Sequence, residues 1–217
     1  MRRGFTFVEL VITIVIMAGV FMVIPRILTA TGKSDRFAMR QDALMQAVSL
    51  TQMASRMAWD ENNTEYADIL QTDSTASACD TSLRFRPGSY LSANGRMCTR
   101  SITATLPLGA ESGESDYTLY DDIDDFNGSS IDVTYQGSPK YRLINSVEYL
   151  DDTIITENGT DMVIDLSAAS ASPASTAIKR FESKVRYVGK RGKQRNISSF
   201  YYYSTNIGQI TLAQRSW

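Results

Sequence analysis

No histidine occurs anywhere in the 217 residues. Without an imidazole there is no Ser-His or Cys-His pair to activate a nucleophile, and no His-ligated metal centre. Cysteine is scarce as well: Cys79 and Cys98 are the two present, and neither has a histidine to make it catalytic. Charge of one sign is also missing. The 22 basic and 24 acidic residues leave a net charge of −2, which gives no overall lean towards nucleic acid or a membrane surface. No activated nucleophile or metal cluster is visible, so neither an enzyme nor a resident cofactor is expected. With 43% hydrophobic and 21% charged residues, the chain has enough apolar material for one membrane helix and one domain with its own core.

That apolar material is unevenly spread. Met1 to Ile24 reads MRRGFTFVELVITIVIMAGVFMVI, and the 20 residues from Phe5 to Ile24 carry one ionisable side chain, Glu9. At 1.5 Å per residue the run crosses the ~30 Å hydrocarbon of a bilayer. Arg2 and Arg3 precede it, so the positive-inside rule leaves the N-terminus in the cytoplasm and the bulk of the chain outside. A carboxylate in hydrocarbon is costly unless a cation pairs with it. The nearest cation arises if the chain is cut after Gly4. Phe5 then carries a free α-amino group, one helical turn before Glu9 and on the same face. In an assembly, that amine can instead meet Glu9 of a neighbouring copy. The first turn of a helix, with its unpaired N–H groups, also favours a carboxylate.

The basic leader, Gly4, Phe5 and the acid at the fifth position after the cut resemble the class III leader of type IV pilins and type II secretion pseudopilins. The resemblance covers the N-terminal segment alone. It implies cleavage after Gly4 by a prepilin peptidase in the inner membrane, N-methylation of Phe5, and an assembly role for Glu9. Pro25 joins that set, because family members often carry a proline near this point. An ordinary secretory signal would have a shorter apolar core followed by a small-residue cleavage site, which is absent here. A plain membrane anchor fits the length but leaves Glu9 and the glycine at the junction unexplained.

Beyond Pro25, which kinks a helix without ending it, Gly19 and Gly32 are further weak points. Phe37, Leu44, Ala47, Val48, Thr51, Ala54 and Ala58 recur near helical spacing, giving one face ready for a core. The division expected is 1–4 leader, 5–28 membrane or filament-core helix, 29–60 amphipathic continuation, and 61–217 a β-rich extracytoplasmic domain. Asp60-Glu61-Asn62-Asn63 should close the helix. Leu83–Phe85, Ile102–Leu106, Ile131–Tyr135, Tyr141–Leu150, Asp161–Leu166, Ile178–Val188 and Ile197–Thr205 are strand candidates, while Ser167–Ser175 is a small-residue loop. The fold class is therefore α+β: a long helix packed on an antiparallel sheet of about four to seven strands, the lollipop shape that the pilin resemblance implies. Cys79 and Cys98, in a region argued to be extracytoplasmic, either form a disulfide or remain unlinked thiols.

Two charged constellations stand out. Asp121, Asp122, Asp124 and Asp125 precede a strand. They lack the D-x-[DN]-x-[DN]-G spacing and distal glutamate of an EF-hand. A solvated turn, an irregular calcium site and a contact to another subunit stay open, and the segment loosely resembles one in minor pilins of the mannose-sensitive haemagglutinin type. The second constellation holds Lys179, Arg180, Lys184, Arg186, Lys190, Arg191, Lys193 and Arg195 against Glu182. A period of two puts Arg180, Glu182, Lys184 and Arg186 on one side and Phe181, Val185 and Tyr187 on the other. With Tyr201-Tyr202-Tyr203 following, a nucleic-acid surface is conceivable. A solvated, edge-protecting face is the simpler account, and docking to an acidic neighbour is a third.

The function expected is that of a minor pilin-like subunit, processed and N-methylated. It would assemble through its N-terminal helix into a type IV pilus-like filament serving adhesion, motility or DNA uptake. Its partners would be other pilin or pseudopilin subunits, the prepilin peptidase, the inner-membrane assembly platform and, before assembly, the lipid bilayer. It would span the bacterial inner membrane once, with a cytoplasmic N-terminus and a periplasmic domain, and then enter the pilus or pseudopilus. A pseudopilin driving protein export, and a membrane-anchored tip module binding DNA or a surface, are the alternatives.

Overall fold

A computed structural model describes residues 6–64, 69–73, 102–135, 138–151, 155–158, 161–164, 166, 169–189 and 193–206. Gly4, Phe5, Leu83–Phe85, Cys79, Cys98, Lys190 and Arg191 lie outside the described residues. The chain divides into two compact units, Met1–Met45 and Gln46–Trp217. Helix α1, Phe7–Ala54, has 48 residues and runs through Pro25, a length of about 72 Å at 1.5 Å per residue.

In the first unit every large apolar side chain from Phe7 to Leu28 is exposed. The threonine hydroxyls in and just after this stretch are satisfied within the helix. The Thr13 hydroxyl donates to the carbonyls of Glu9 and Leu10, Thr29 to that of Arg26 at 2.9 Å, and Thr31 to those of Ile27 and Leu28 at 3.1 and 3.0 Å. A hydroxyl bonded back to the preceding turn can sit in apolar surroundings without the penalty of an orphaned donor. The helix is long and apolar enough to cross a membrane.

The second unit is built on a four-stranded antiparallel sheet in the order β1-β2-β5-β6: β1 Ser130–Tyr135, β2 Ser138–Tyr149, β5 Ile178–Val188 and β6 Gln194–Thr205. A separate antiparallel pair, β3 Ile155–Asn158 and β4 Asp161–Ile164, lies between β2 and β5 in sequence. The last turns of α1 pack on the sheet through Ala47, Leu50 and Ala54, all buried. Their spacing of three and four residues forms one helical stripe. On the sheet's inner face, Leu143 and Val147 of β2 stand opposite Val185 and Phe181 of β5. All four are buried. Phe126 packs edge-to-face on Phe181 with centroids 5.5 Å apart, the geometry that ring quadrupoles prefer.

Several expectations shift. The strand expected at Ile102–Leu106 is reduced to a single bridge between Gln71 and Thr103, because Thr105 turns its N–H and hydroxyl to the Asp60 carboxylate, each at 2.9 Å. The helix ends at Ala54 instead of Asp60. Asp60 then caps a 3-10 turn, Glu61–Asn63, accepting the Asn62 N–H at 3.2 Å. The exit chain is stitched to the acidic segment: the Ala58 N–H bonds the Asp121 carbonyl, and the Ile123 N–H bonds the Ala58 carbonyl.

Phe181, fully buried at the centre of the inner face, sets the first prediction. Phe181→Ala should cost about 3–5 kcal/mol in urea unfolding of the full chain in detergent. A cost under about 1 kcal/mol, the range of an exposed site, would mean that this face is not the core.

Candidate functional site

Two places concentrate chemistry: the start of α1 and the acidic segment that follows Tyr120. At the first, Thr6 and Glu9 form a capping box. The Thr6 backbone N–H and hydroxyl both reach Glu9 Oε2 at 3.1 Å, and the Glu9 N–H returns to Thr6 Oγ1 at 3.4 Å. The T-x-x-E spacing of Thr6-Phe7-Val8-Glu9 is the sequence signal for this, unused in the argument from Glu9 alone. Glu9 therefore has a local partner in Thr6. Both bonds fall on Oε2, and among the described residues no donor meets Oε1.

At the second place the turn Asp124–Phe126 is folded by its own carboxylates. Asp125 Oδ2 accepts the backbone N–H groups of Asp121 and Asp122 at 3.0 and 3.2 Å, and Asp122 Oδ1 accepts those of Asp124 and Asp125 at 2.6 and 3.3 Å. A solvated turn is thus ruled out, since Asp122, Asp124 and Asp125 are buried. The physical reason is that Ile123 and Phe126, between and beside them, enter the core and draw the acids in. Asp121 alone of the four remains exposed.

Burial pushes the Asp122 carboxyl up to about 9, with the charges of Asp124 and Asp125 adding to it, so Asp122 is a neutral acid at pH 7. Asp124 rises to about 7 for the same reason, against the pull of Lys179. Asp125 also rises through burial. Asp122 Oδ2 and Asp125 Oδ1 are buried without a hydrogen-bond partner.

Outside them stands a rim of acids. Oxygens of Glu114, Asp121 and Asp125 lie within 4.8 Å of one another, as do those of Glu61, Glu111 and Glu114. Glu61 and Asp121 are raised, chiefly by partial burial and then by their acidic neighbours. Glu111 is raised to about 7 by partial burial, its hydrogen bond with Glu114 and the charges of Asp125 and Glu61. Among the described residues no basic side chain pairs with any of these five. Such a set either shares protons or takes a cation. Two oxygens on opposite sides of a calcium ion lie about 4.6–5.2 Å apart, so the spacing suits a hard divalent cation.

The basic constellation is less free than its sequence implies. Arg180 pairs with Glu148 of β2, Lys184 with Glu182 at 3.1 Å, and Arg186 donates to Asn196 and Gln194 at 3.0 and 3.3 Å. Tyr201 also donates to Glu182 at 3.2 Å. The outward face is therefore internally paired, and Lys179 leaves it altogether for the core. Tyr187, expected inward, is exposed. No protein-family model, curated protein or solved structure matches the chain.

The acidic rim predicts an inverted pH dependence. Glu111 keeps in the folded state a proton that the unfolded chain gives up near 4.5, so its contribution is complete below about 4.5 and is lost as pH rises through about 7. Asp132, held low by its hydrogen bonds with Arg142, acts oppositely but below this window. Urea midpoints should fall between pH 4.5 and 7, and millimolar calcium should restore them at pH 8. Glu111→Gln should lessen the fall, and Asp122 and Asp124, also raised by burial, should keep the rest. Midpoints independent of both pH and calcium would remove the shared-charge account.

Proposed function

We propose that the chain is a minor subunit of a type IV pilus-like filament. It is held in the inner membrane by the segment 5–24, cut after Gly4 and methylated at Phe5, with its N-terminus cytoplasmic and its β-rich domain periplasmic until assembly. The observation that carries this reading is α1 itself. It exposes every large apolar side chain from Phe7 to Leu28, closes its hydroxyls onto its own backbone, and keeps one acid near its start. Such a surface needs an apolar surround at every stage, which lipid supplies first and like helices supply afterwards.

The mechanism is transfer between two apolar solvents, with Glu9 as the register mark. In lipid, Glu9 is satisfied in part by Thr6; in the filament its second oxygen meets the Phe5 amine of a neighbour. Prepilin peptidase and an inner-membrane assembly platform are the partners this requires. The same physics serves a pseudopilus, where the filament drives export.

Glu9→Gln separates the two roles of this residue, because glutamine at this position still closes a capping box but carries no charge. The variant should reach the membrane in normal amount and fall about tenfold or more in sheared filaments, equivalent to ~1.4 kcal/mol per subunit. N-terminal mass spectrometry of the wild type should give a chain that starts at N-methylated Phe5, and Gly4→Ala should retain Met1. Undiminished Glu9→Gln in filaments would reduce Glu9 to a helix cap, and an uncut wild type would leave only a membrane-anchored domain.

A further inference from the structure

Lys179 is fully buried, and its ammonium is surrounded by acceptors. Nζ lies 2.7 Å from both Oδ1 and Oδ2 of Asp124, 2.9 Å from Asp60 Oδ2 and 2.8 Å from the Trp59 carbonyl. The Trp59 and Tyr149 rings wall it in, with centroids 4.0 and 5.0 Å away. Asp60 and Asp124 are themselves 0% and 1% exposed, so water does not compete for the amine.

The two carboxyls are held differently. Asp60 accepts the Thr105 N–H and hydroxyl, the Asn62 N–H and, at 3.5 Å, the Tyr149 hydroxyl. That network holds it in place with one oxygen on Lys179. Among the described residues the Asp124 carboxyl has one donor only, and that donor is Lys179. Equidistant from both oxygens, Nζ lies in the plane that bisects the carboxyl group and contains Cγ. An amine held within 2.7 Å of both oxygens of a carboxyl group, beside a second carboxylate that can carry a proton, is a reactant pair already placed. Condensation also removes two charges from a site where each is costly.

We propose that Lys179 and Asp124 join in an intramolecular isopeptide bond, with Asp60 as the proton carrier. Lys179 first passes one proton to Asp124, leaving an amine and a carboxylic acid. The amine lone pair attacks Cγ of Asp124 and forms the C–N bond. Asp60 takes a proton from the nitrogen and delivers it to the departing hydroxyl, the C–O bond breaks, and one water leaves. No atom changes oxidation state and no co-reactant is needed. The bond ties β5 to the turn Asp124–Phe126 across 55 residues of sequence, at the point where the chain leaves α1.

The test is peptide mapping of the full chain, extracted in detergent, shown to be folded by circular dichroism, then denatured, reduced and digested with trypsin. A bonded Lys179 resists cleavage, so residues 101–140 and 143–180 should emerge as one branched peptide, lighter than their sum by one water. This readout is independent of processing at the N-terminus. Lys179→Arg should give separate linear peptides, and Asp60→Asn should keep the fold while losing the branch. Asp124→Asn should give the same branched product, because an amide loses ammonia where an acid loses water. Linear peptides 101–140 and 143–179 from folded wild type would overturn the bond, and a branch that persists in Asp60→Asn would overturn the role of Asp60.

Discussion

Until it is joined to Asp124, the ammonium of Lys179, removed from water, sets the terms for the second unit. An amine buried among aromatic rings is tolerable only if every direction it faces supplies an acceptor, and two distant parts of the chain supply them to a third. Trp59 and Asp60 come from the exit of α1, Asp124 from the acidic segment, and the amine itself from β5. Local helix or strand preference does not require these parts to meet. The charge does, because a displacement of any one of them would leave an unpaired ion in the core, a loss of ~3–5 kcal/mol against a total stability of about 5–15 kcal/mol. The cluster thus fixes the register between helix exit and sheet, which the non-directional packing of Ala47, Leu50 and Phe181 specifies less sharply.

The first unit obeys a different constraint. Its apolar residues have no core of their own, so the stability of α1 there rests on whatever surrounds it, and the sequence has been tuned to make an apolar surround sufficient. Threonine hydroxyls fold back on carbonyls, Pro25 is accommodated within the helix, and the one acid is bonded at the first turn. The hydroxyls of this stretch are closed off locally, while the apolar atoms are left open.

The parts legible in the sequence were those with local periods. The two-residue alternation of β5 put Phe181 and Val185 inside and Arg180, Glu182, Lys184 and Arg186 outside, and the burial pattern follows it. The same parity places Lys179 with Phe181, a signal that counting it among a basic run obscured. Tyr187 breaks the alternation where β5 passes beyond the core. The acids at Asp122, Asp124 and Asp125 were harder to read, because their burial depends on partners distant in sequence: Asp124 meets Lys179 55 residues away, and Thr105 meets Asp60 across 45. No local pattern carries such pairings. The α+β class needed none of them, since a long apolar-to-amphipathic helix followed by alternating strands is fixed by spacing alone.

One backbone segment serves both charged sites, and this links them. Asp124 faces Lys179, while Asp125, its neighbour, joins Asp121 and Glu114 at the rim. Within the core one ammonium stands against Asp60 and Asp124, and Asp122 avoids adding a third charge by keeping its proton, its value pushed up to about 9. Among the described residues the rim has no lysine to play the same part, so its relief comes from protons or from a cation in solution. A cation drawn to Glu114, Asp121 and Asp125 would tighten the segment from outside. The amine on Asp124 already holds it from inside, so strain or order introduced at one face of this short turn must be felt at the other.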